Sequence, residues 1–317
     1  MDVSLVVTTS PPDSAYDEFA YYGENASEWG LPWTGPPTVK RLTVATAAGD
    51  VSGLRFGDGA PELVFLHGGG QNAHTWDTTV LALGRPCVAV DLPGHGHSAW
   101  REDRDYWPWS NAVAVAAVLD ALGARPAAVV GMSLGGLTLI RLSRIRPDLV
   151  DKAVVVDVTP SVHQRAIEMT MEERGSTALI SGPKIYQSFD DMVEATVAMT
   201  PNRPRSAVRR GVLHNSRRLE DGTWRWRYDI GSAGTPETGS PAEPPSFGEL
   251  WTDVDAMSMP TMLIRGGDSR FVLDEHEAEF RRRQPGLQVR VVPSAGHAVQ
   301  SDQPLVLRDL IEQFVFA

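Results

Sequence analysis

The chain has 317 residues, of which 42% are hydrophobic, and its 29 basic and 40 acidic residues give a formal net charge of −11. This composition is typical of a globular protein and excludes a wholly disordered chain, collagen and a coiled coil. The negative charge argues against nucleic-acid binding because backbone phosphates would be repelled, and no apolar run approaches the ~18 residues that a membrane-spanning helix needs.

The first 37 residues combine prolines and acidic residues with aromatic side chains at Tyr16, Phe19, Tyr21, Tyr22, Trp29 and Trp33. Disordered tails are poor in aromatic residues, so residues 1–37 are predicted to form an extended arm packed on the main domain. The N-terminus lacks the basic and apolar regions of a secretory signal, which favours a cytoplasmic protein. The single cysteine, Cys87, lies in an apolar run and is predicted to be buried.

Strands and helices are predicted to alternate from residue 38. Residues 39–47 and 51–56 read as an antiparallel pair, and short apolar runs predict buried strands at 63–66, 87–90, 127–130, 153–156, 261–264 and 289–292. Helical periodicity covers 111–122, 134–145, 275–283 and 305–316. Strands that are apolar on both faces belong in a parallel sheet covered by helices. The predicted fold is therefore α/β, with a doubly wound, mostly parallel sheet.

About a hundred residues separate the strand at 153–156 from the strand at 261–264, too many for an ordinary connection. Residues 159–249 are predicted to be an inserted helical cap, with helices near 163–174, 188–199 and 206–215 and a strand at 223–228. Residues 231–245 are of low complexity and are predicted to be a mobile linker. The core then consists of residues 38–158 and 250–317.

Arginines are concentrated in the predicted cap, at Arg203, Arg205, Arg209, Arg210, Arg217, Arg218, Arg225 and Arg227. They indicate either a solvated surface or a site for an anionic group.

A sharp turn is predicted at Gly131-Met132-Ser133-Leu134-Gly135, which follows one predicted strand and opens the next helix. This is the G-x-S-x-G pattern in its required strand–turn–helix context. Such a turn lifts a serine hydroxyl out of the sheet and directs a helix N-terminus, where negative charge is stabilised, toward it. Ser133 is the predicted nucleophile.

A second glycine-rich turn, His67-Gly68-Gly69-Gly70, follows an earlier strand. Acyl transfer needs two N–H donors directed at a developing oxyanion. Leu134 is predicted to supply one donor and Gly69 the other, with Gly68 and Gly70 as alternatives. His67 is expected to brace the loop by hydrogen bonding.

The last predicted strand is followed by Ser294-Ala295-Gly296-His297. A histidine in this loop can reach the serine of the turn as a general base. None of the other seven histidines has this position after a late strand, so His297 is the predicted base.

These motifs and their chain order make the sequence resemble the α/β-hydrolase family. The matching residues are His67–Gly70, the D-x-x-G-x-G-x-S pattern at Asp91–Ser98, the turn at 131–136 and the pair Gly296-His297. The resemblance covers about residues 39–158 and 259–317, and the insertion matches the family's variable cap. It implies a nucleophile, histidine and acid triad but says little about the substrate.

The resemblance leaves two candidates for the acid. Most of the family carries it after the strand that follows the cap, where this sequence reads Arg265-Gly266-Gly267-Asp268-Ser269. Counted from Gly266, the expected position holds Ser269, and Asp268 lies one residue short. Some members take the acid from the end of the preceding strand, where Asp157 lies. Asp157 is therefore predicted to be the acid, with Asp268 as the alternative.

The function predicted from these residues is that of a serine hydrolase cleaving a carboxylic ester or lactone of a small, largely apolar molecule through an acyl-enzyme. The alternative is a hydrolase of carbon–carbon bonds in dicarbonyl compounds, for whose anionic substrates the basic cap would be suited. A non-catalytic ligand receptor is a third hypothesis, which a broken triad would favour. No cofactor and no metal is expected, the expected partner is a small-molecule substrate, and the oligomeric state is left open.

Overall fold

A computed structural model describes residues 16–162, 165, 168–229 and 246–317. Its strands are β1 Val39–Thr46, β2 Gly49–Phe56, β3 Leu63–Leu66, β4 Cys87–Val90, β5 Ala128–Met132, β6 Ala153–Val156, β7 Ile185–Tyr186, β8 Ser216–Arg218, β9 Trp224–Trp226, β10 Thr261–Gly266 and β11 Gln288–Val292. Its α-helices are α1 Tyr22–Glu28, α2 Asp77–Leu83, α3 Pro108–Ala121, α4 Leu134–Ile145, α5 Met171–Arg174, α6 Phe189–Met199, α7 Arg205–His214, α8 Leu250–Asp255, α9 Asp274–Arg283, α10 Val299–Asp302 and α11 Pro304–Phe316. The predicted linker at 231–245 lies outside the described residues.

The central sheet has eight strands in the order β1-β2-β4-β3-β5-β6-β10-β11. Strands β1 and β2 pair antiparallel, β2 also pairs antiparallel with β4, and the other neighbours are parallel. Every residue of β3, β4, β5 and β6 is buried, as expected for apolar strands covered on both faces. The α/β fold with a mostly parallel sheet is confirmed.

Two apolar layers enclose this sheet. One layer contains side chains of α3, α4, α8 and α9, and the other contains side chains of α2 and α11. No helix within the described ranges is long and apolar enough to cross a membrane.

Parallel pairing brings the carboxyl ends of several strands to one edge of the sheet. Leu66 at the end of β3 is level with Gly131, and Met132 at the end of β5 is level with Val156 of β6. The loops that leave these strands therefore start side by side, which is where ligands bind in open α/β sheets.

The described part of the insertion, residues 159–249, contains α5, α6, α7 and a small antiparallel sheet in the order β7-β9-β8. Its own apolar cluster includes Tyr186, Met192, Val212 and Trp226. We call residues 159–249 the insert.

The described part of the N-terminal segment, residues 16–37, packs on the core, but it is not wholly extended as predicted, because residues 22–28 form helix α1. Gly23 weakens the helical signal in the sequence. The helix buries Tyr22, Asn25 and Ala26, which follow the i, i+3, i+4 spacing of one helix face. Tyr22 joins the apolar layer that contains α2 and α11, so tertiary packing stabilises a helix that local propensity does not favour.

Candidate active site

Ser133 lies at the tip of the turn between β5 and α4. Its backbone has φ 50° and ψ −116°, a conformation that costs energy and persists only where the surroundings enforce it. A Cβ atom on Gly131 would lie 2.3 Å from the Gly135 carbonyl oxygen, and one on Gly135 would lie 2.2 Å from that of Leu66. The two glycines are therefore needed for the close packing that holds this turn.

Ser133, His297 and Asp157 are joined by hydrogen bonds. The Ser133 hydroxyl lies 3.0 Å from Nε2 of His297, and Nδ1 of the same ring lies 2.8 Å from Oδ2 of Asp157. Because a buried carboxylate can only accept here, Nδ1 carries the proton and Nε2 is free to accept the serine proton. This is the arrangement of a nucleophile, a general base and an orienting acid.

The structure brings only one of the two acid candidates to the histidine. Asp157 is fully buried at the end of β6 and also accepts hydrogen bonds from the Gly266 N–H at 2.9 Å and the Ser269 hydroxyl at 2.5 Å. Asp268 is exposed, and among the described residues its carboxylate has no contact with His297. Ser269, which occupies the position expected for the family's acid, therefore donates a hydrogen bond to the carboxylate of Asp157 at the end of the neighbouring strand.

Phe271 is a site residue that the sequence analysis missed. Its ring stacks on His297 with centroids 3.7 Å apart and planes inclined by 19°. This contact restricts the imidazole on one face. No motif marks Phe271, because the contact depends on the path of the loop after β10.

The glycine loop after β3 lies directly against the serine turn. A Cβ atom on Gly68 would meet Met132 Sδ at 2.5 Å. The Gly68 N–H is engaged by Gln71 Oε1 at 3.1 Å. Within the described ranges no hydrogen-bond partner is found for the N–H groups of Gly69, Gly70 and Leu134. Gly69 and Leu134 therefore have free donors, as does the alternative Gly70, whereas Gly68 does not.

His67 braces this loop. Its Nε2 accepts a hydrogen bond from the Leu92 N–H at 2.9 Å, so Nδ1 carries the proton and donates to the Gly68 carbonyl at 2.7 Å. Burial lowers the pKa of His67, which keeps the ring neutral and this pattern intact.

Ser133 and His297 line a cavity of about 630 Å³, a size typical of small-molecule sites. Apolar side chains from the core and the insert form much of its wall, including Leu134, Leu137, Val162, Leu179, Ile180 and Phe271.

Two arginines of the insert that line the cavity are paired with carboxylates. Arg203 lies 2.7 Å from Asp302, and Arg210 lies 3.0 Å from Glu24 and 2.5 Å from Glu28. Their charges are therefore largely balanced within the protein.

Comparison with known proteins identifies the family. Residues 63–310 match the profile described as "Alpha/beta hydrolase family". The chain belongs to the α/β hydrolase family. This α/β hydrolase is 51% identical over 298 residues to "Esterase Rv0045c" of Mycobacterium tuberculosis, covering 93% of this chain and 94% of that protein.

A crystal structure of the same esterase, Rv0045c, superimposes with a TM-score of 0.81 at 46% identity, over 95% of this chain and 99% of the other. The mouse "sn-1-specific diacylglycerol lipase ABHD11" is 28% identical over 80% of this chain and 81% of its own length.

A buried series of side chains with alternating charges links the N-terminal segment of this α/β hydrolase to its core. Arg41 lies 2.8 Å from Asp91 and 2.5 Å from Glu18, whose carboxylate also lies 3.1 Å from Nε2 of His74. Nδ1 of His74 in turn lies 2.9 Å from Asp77. Each internal member has a partner of opposite sign on both sides, which offsets the cost of burying it.

The charges of the side chains in this series depend on one another. Burial disfavours a charged His74, but the carboxylates of Asp77 and Glu18 outweigh burial and raise its pKa to about 9. Burial likewise opposes the charge on Glu18, but hydrogen bonds from His74 and Arg41 lower its pKa. His74 is therefore cationic near neutral pH and holds the N-terminal segment through Glu18.

One group of side chains in the described part of the chain could offer metal ligands. It consists of His74, Asp77 and His214, and one donor atom of each lies within 4.8 Å of the others. The rings of His74 and His214, however, stack with centroids 3.9 Å apart and planes inclined by 12°. Lone pairs in nearly parallel stacked rings do not converge on one ion, and both nitrogens of His74 already face carboxylates. The group fits an ion-pair network better than a metal site.

Proposed function

We propose that this α/β hydrolase cleaves carboxylic esters or lactones of small, largely apolar molecules through an acyl-enzyme. The observation that carries the proposal is the hydrogen-bonded series Ser133–His297–Asp157 at the wall of a cavity with many apolar side chains. The 51% identity to a protein named as an esterase supports the same reaction class.

In the proposed reaction, Ser133 Oγ attacks the substrate carbonyl carbon while His297 Nε2 takes the hydroxyl proton. Asp157 holds the tautomer and stabilises the imidazolium that forms. The carbonyl oxygen becomes an oxyanion, which accepts hydrogen bonds from the N–H groups of Leu134 and Gly69.

Collapse of this intermediate breaks the ester C–O bond, and His297 returns the proton to the leaving alcohol. A water molecule then repeats the sequence on the acyl-enzyme, giving its proton to His297 and releasing the acid and Ser133. The atoms balance with water as the second substrate.

The insert is proposed to act as a cap that selects the substrate, because several of its side chains line the cavity while the proposed catalytic groups lie on the core. Arg203 and Arg210, two of the four arginines that line the cavity among the described residues, are paired with carboxylates and so give no support to an anionic dicarbonyl substrate. Esters and lactones of largely apolar acids are thus the favoured class.

The experiment is a panel of p-nitrophenyl esters, lactones and dicarbonyl compounds assayed with the wild type and Ser133→Ala, combined with a fluorophosphonate probe. We expect Ser133→Ala to lose ~10³-fold or more in kcat and to lose labelling by the probe. The matched control is Ser27→Ala, an exposed serine outside the cavity, which should retain both.

Robust labelling of Ser133→Ala would contradict the assignment of the nucleophile. Turnover of dicarbonyl compounds alone would replace the ester with a carbon–carbon bond as the substrate. A wild type without Ser133-dependent turnover on the whole panel would favour a ligand receptor.

A further inference from the structure

The glycine loop after β3 depends on outside contacts for its conformation. Three consecutive glycines, Gly68, Gly69 and Gly70, have no side chains that could fix their backbone, and glycine loses more conformational freedom on ordering than any other residue. The N–H groups of Gly69 in this loop and of Leu134 in the serine turn must nevertheless be held rigidly in the proposed reaction, because an oxyanion hole works through preorganised donors.

The core fixes the first end of this loop. His67 Nδ1 donates to the Gly68 carbonyl at 2.7 Å, and Gln71 Oε1 accepts from the Gly68 N–H at 3.1 Å. Gln71 is in turn near Gln300, whose Nε2 lies 3.3 Å from the same Oε1. The Gln71 N–H also donates to the Gly68 carbonyl oxygen at 3.2 Å and closes a turn over Gly69 and Gly70. Within the described residues, the N–H and C=O groups of Gly69 and Gly70 themselves make no hydrogen bond to the core.

The insert fixes the other end. Asn215 Nδ2 donates to the Gly70 carbonyl oxygen at 2.6 Å. The insert also packs on Gly70 directly, since a Cβ atom there would meet Ile180 Cγ1 at 2.9 Å, and Gly70 has φ +72°. Gly69 therefore lies between a core anchor at Gly68 and an insert anchor at Gly70.

Asn215 is itself held in place. Its N–H closes the end of α7 on the Gly211 carbonyl at 3.1 Å, and its carbonyl accepts from the Arg227 N–H at 2.8 Å. Its Oδ1 accepts from Asn72 Nδ2 at 3.2 Å, which fixes the amide so that Nδ2 is directed at Gly70.

Asn72 connects the insert to the core segment that follows the glycine loop. Its Nδ2 also donates to the His214 carbonyl at 2.9 Å, and its Oδ1 accepts from the His74 N–H at 3.0 Å. The pair Asn72 and Asn215 thus joins the loop, the start of the next core segment and the insert.

We propose that Asn215 is a positioning residue through which the insert holds the oxyanion loop in its working conformation. The inference rests on the proposed function, because it assigns Asn215 a role in stabilising the oxyanion of that reaction. It makes the insert a determinant of rate as well as of substrate choice.

The test compares Asn215→Ala and Asn215→Asp with the wild type. The alanine variant removes both hydrogen bonds, whereas the aspartate variant keeps the size and the acceptor for Asn72 but loses the donor to Gly70. Loss of one oxyanion-hole donor costs about 10²–10³ in kcat, and we expect a loosened loop to cost about 10- to 100-fold in both variants. KM should stay within about threefold, because an ester in its ground state carries no oxyanion.

Asn202 provides the matched control, since it is an exposed asparagine of the insert that does not line the cavity. Asn202→Ala and Asn202→Asp should retain kcat within about twofold. If they lose as much as the Asn215 variants, the effect belongs to the insert in general and the inference is overturned.

A transition-state analogue separates positioning from a merely structural role. A boronic acid that adds to Ser133 should bind the Asn215 variants more weakly by the same factor that kcat/KM falls. A non-hydrolysable ester analogue should bind Ser133→Ala and Ser133→Ala/Asn215→Asp equally well. A fall in melting temperature alone, a rise in KM alone, or equal weakening of both ligands would overturn the inference.

Wild type and Ser133→Ala are assayed alongside. A wild type without Ser133-dependent hydrolysis overturns the proposed function and this inference together. Ser133-dependent hydrolysis that is unchanged in both Asn215 variants overturns the inference alone.

Discussion

Replacing Asp157 by asparagine is expected to be far more damaging than the same change at Asp268. In the present structure Oδ1 of Asp157 accepts from the Gly266 N–H at 2.9 Å, and Oδ2 accepts from His297 Nδ1 at 2.8 Å. An asparagine of the same shape keeps the first bond by placing its oxygen toward Gly266. Its NH₂ group then faces His297 Nδ1.

This geometry reverses the histidine tautomer. Nδ1 must become an acceptor toward the new NH₂ group, so the proton moves to Nε2, which can no longer take the proton of Ser133. Turning the amide around would place NH₂ against the Gly266 N–H, so that alternative is disfavoured. Loss of the correct tautomer in a triad costs about 10⁴ in kcat, or about 5 kcal/mol in activation free energy.

Asp268 offers a matched control, because it lies on the loop after the neighbouring strand but is exposed. Asp268→Asn should cost tenfold or less. Both variants are first checked by thermal unfolding, and kcat is then measured on one p-nitrophenyl ester over a range of pH. A loss of less than tenfold in Asp157→Asn, or a larger loss in Asp268→Asn than in Asp157→Asn, would refute the assignment of the acid.

Three further changes have defined outcomes. Ser269→Ala removes a hydroxyl donor to Asp157. We expect kcat to fall about tenfold, which corresponds to ~1.4 kcal/mol, while KM stays constant. An unaltered kcat in steady-state kinetics would contradict this prediction. Arg210→Met leaves Glu28 without its cation and should lower the free energy of unfolding by about 2 kcal/mol in urea titrations, whereas the double variant with Glu28→Gln should recover part of that loss. His74 has a folded-state pKa of about 9 against 6.5 for the free side chain, so its stabilisation is complete below pH 6.5 and is lost as pH rises through 9. Urea titrations at pH 6 and pH 10 should differ by up to about 3 kcal/mol more in the wild type than in His74→Asn, and equal differences would show that His74 is not the titrating group.

The sequence predicted the middle of the central sheet well because strands β3, β4, β5 and β6 are buried on both faces. The prediction of a buried strand at 289–292 was wrong, because β11 is an edge strand whose Arg290 and Val291 are exposed. Strands β3, β4 and β6 begin and end at the residues that the short apolar runs predict, since a run without polar residues can only lie inside a helix-covered sheet. The serine turn could also be recognised locally, because Gly131 and Gly135 are required by backbone contacts that any side chain would prevent.

Several helices could not be predicted from their own residues. Helix α1 contains a glycine at its second position, and it forms because Tyr22, Asn25 and Ala26 are buried together against the core. Helices α2, α8 and α10 have only four to seven residues, too few for a clear periodic signal. Their stability comes from packing, which a local pattern does not record.

The choice between the two candidate acids also depended on tertiary structure. The sequence placed Asp157 and Asp268 after two neighbouring strands and could not decide between them by distance. In the structure Asp157 is buried, with φ 50°, and its carboxylate accepts hydrogen bonds from the Ser269 hydroxyl and the Gly266 N–H, whereas Asp268 is exposed.

By itself, the sequence determined the fold, the serine turn, the glycine loop and the histidine after the last strand. Each of these is encoded in a few consecutive residues whose chemistry is visible locally. Tertiary structure alone decided that Phe271 stacks on His297, that Asn215 binds Gly70 and that Glu18 binds His74. Glu18 and His74 are 56 positions apart and Asn215 and Gly70 are 145 apart. Such contacts arise only when the sheet, the insert and the N-terminal segment pack together, because no local pattern constrains residues so distant along the chain.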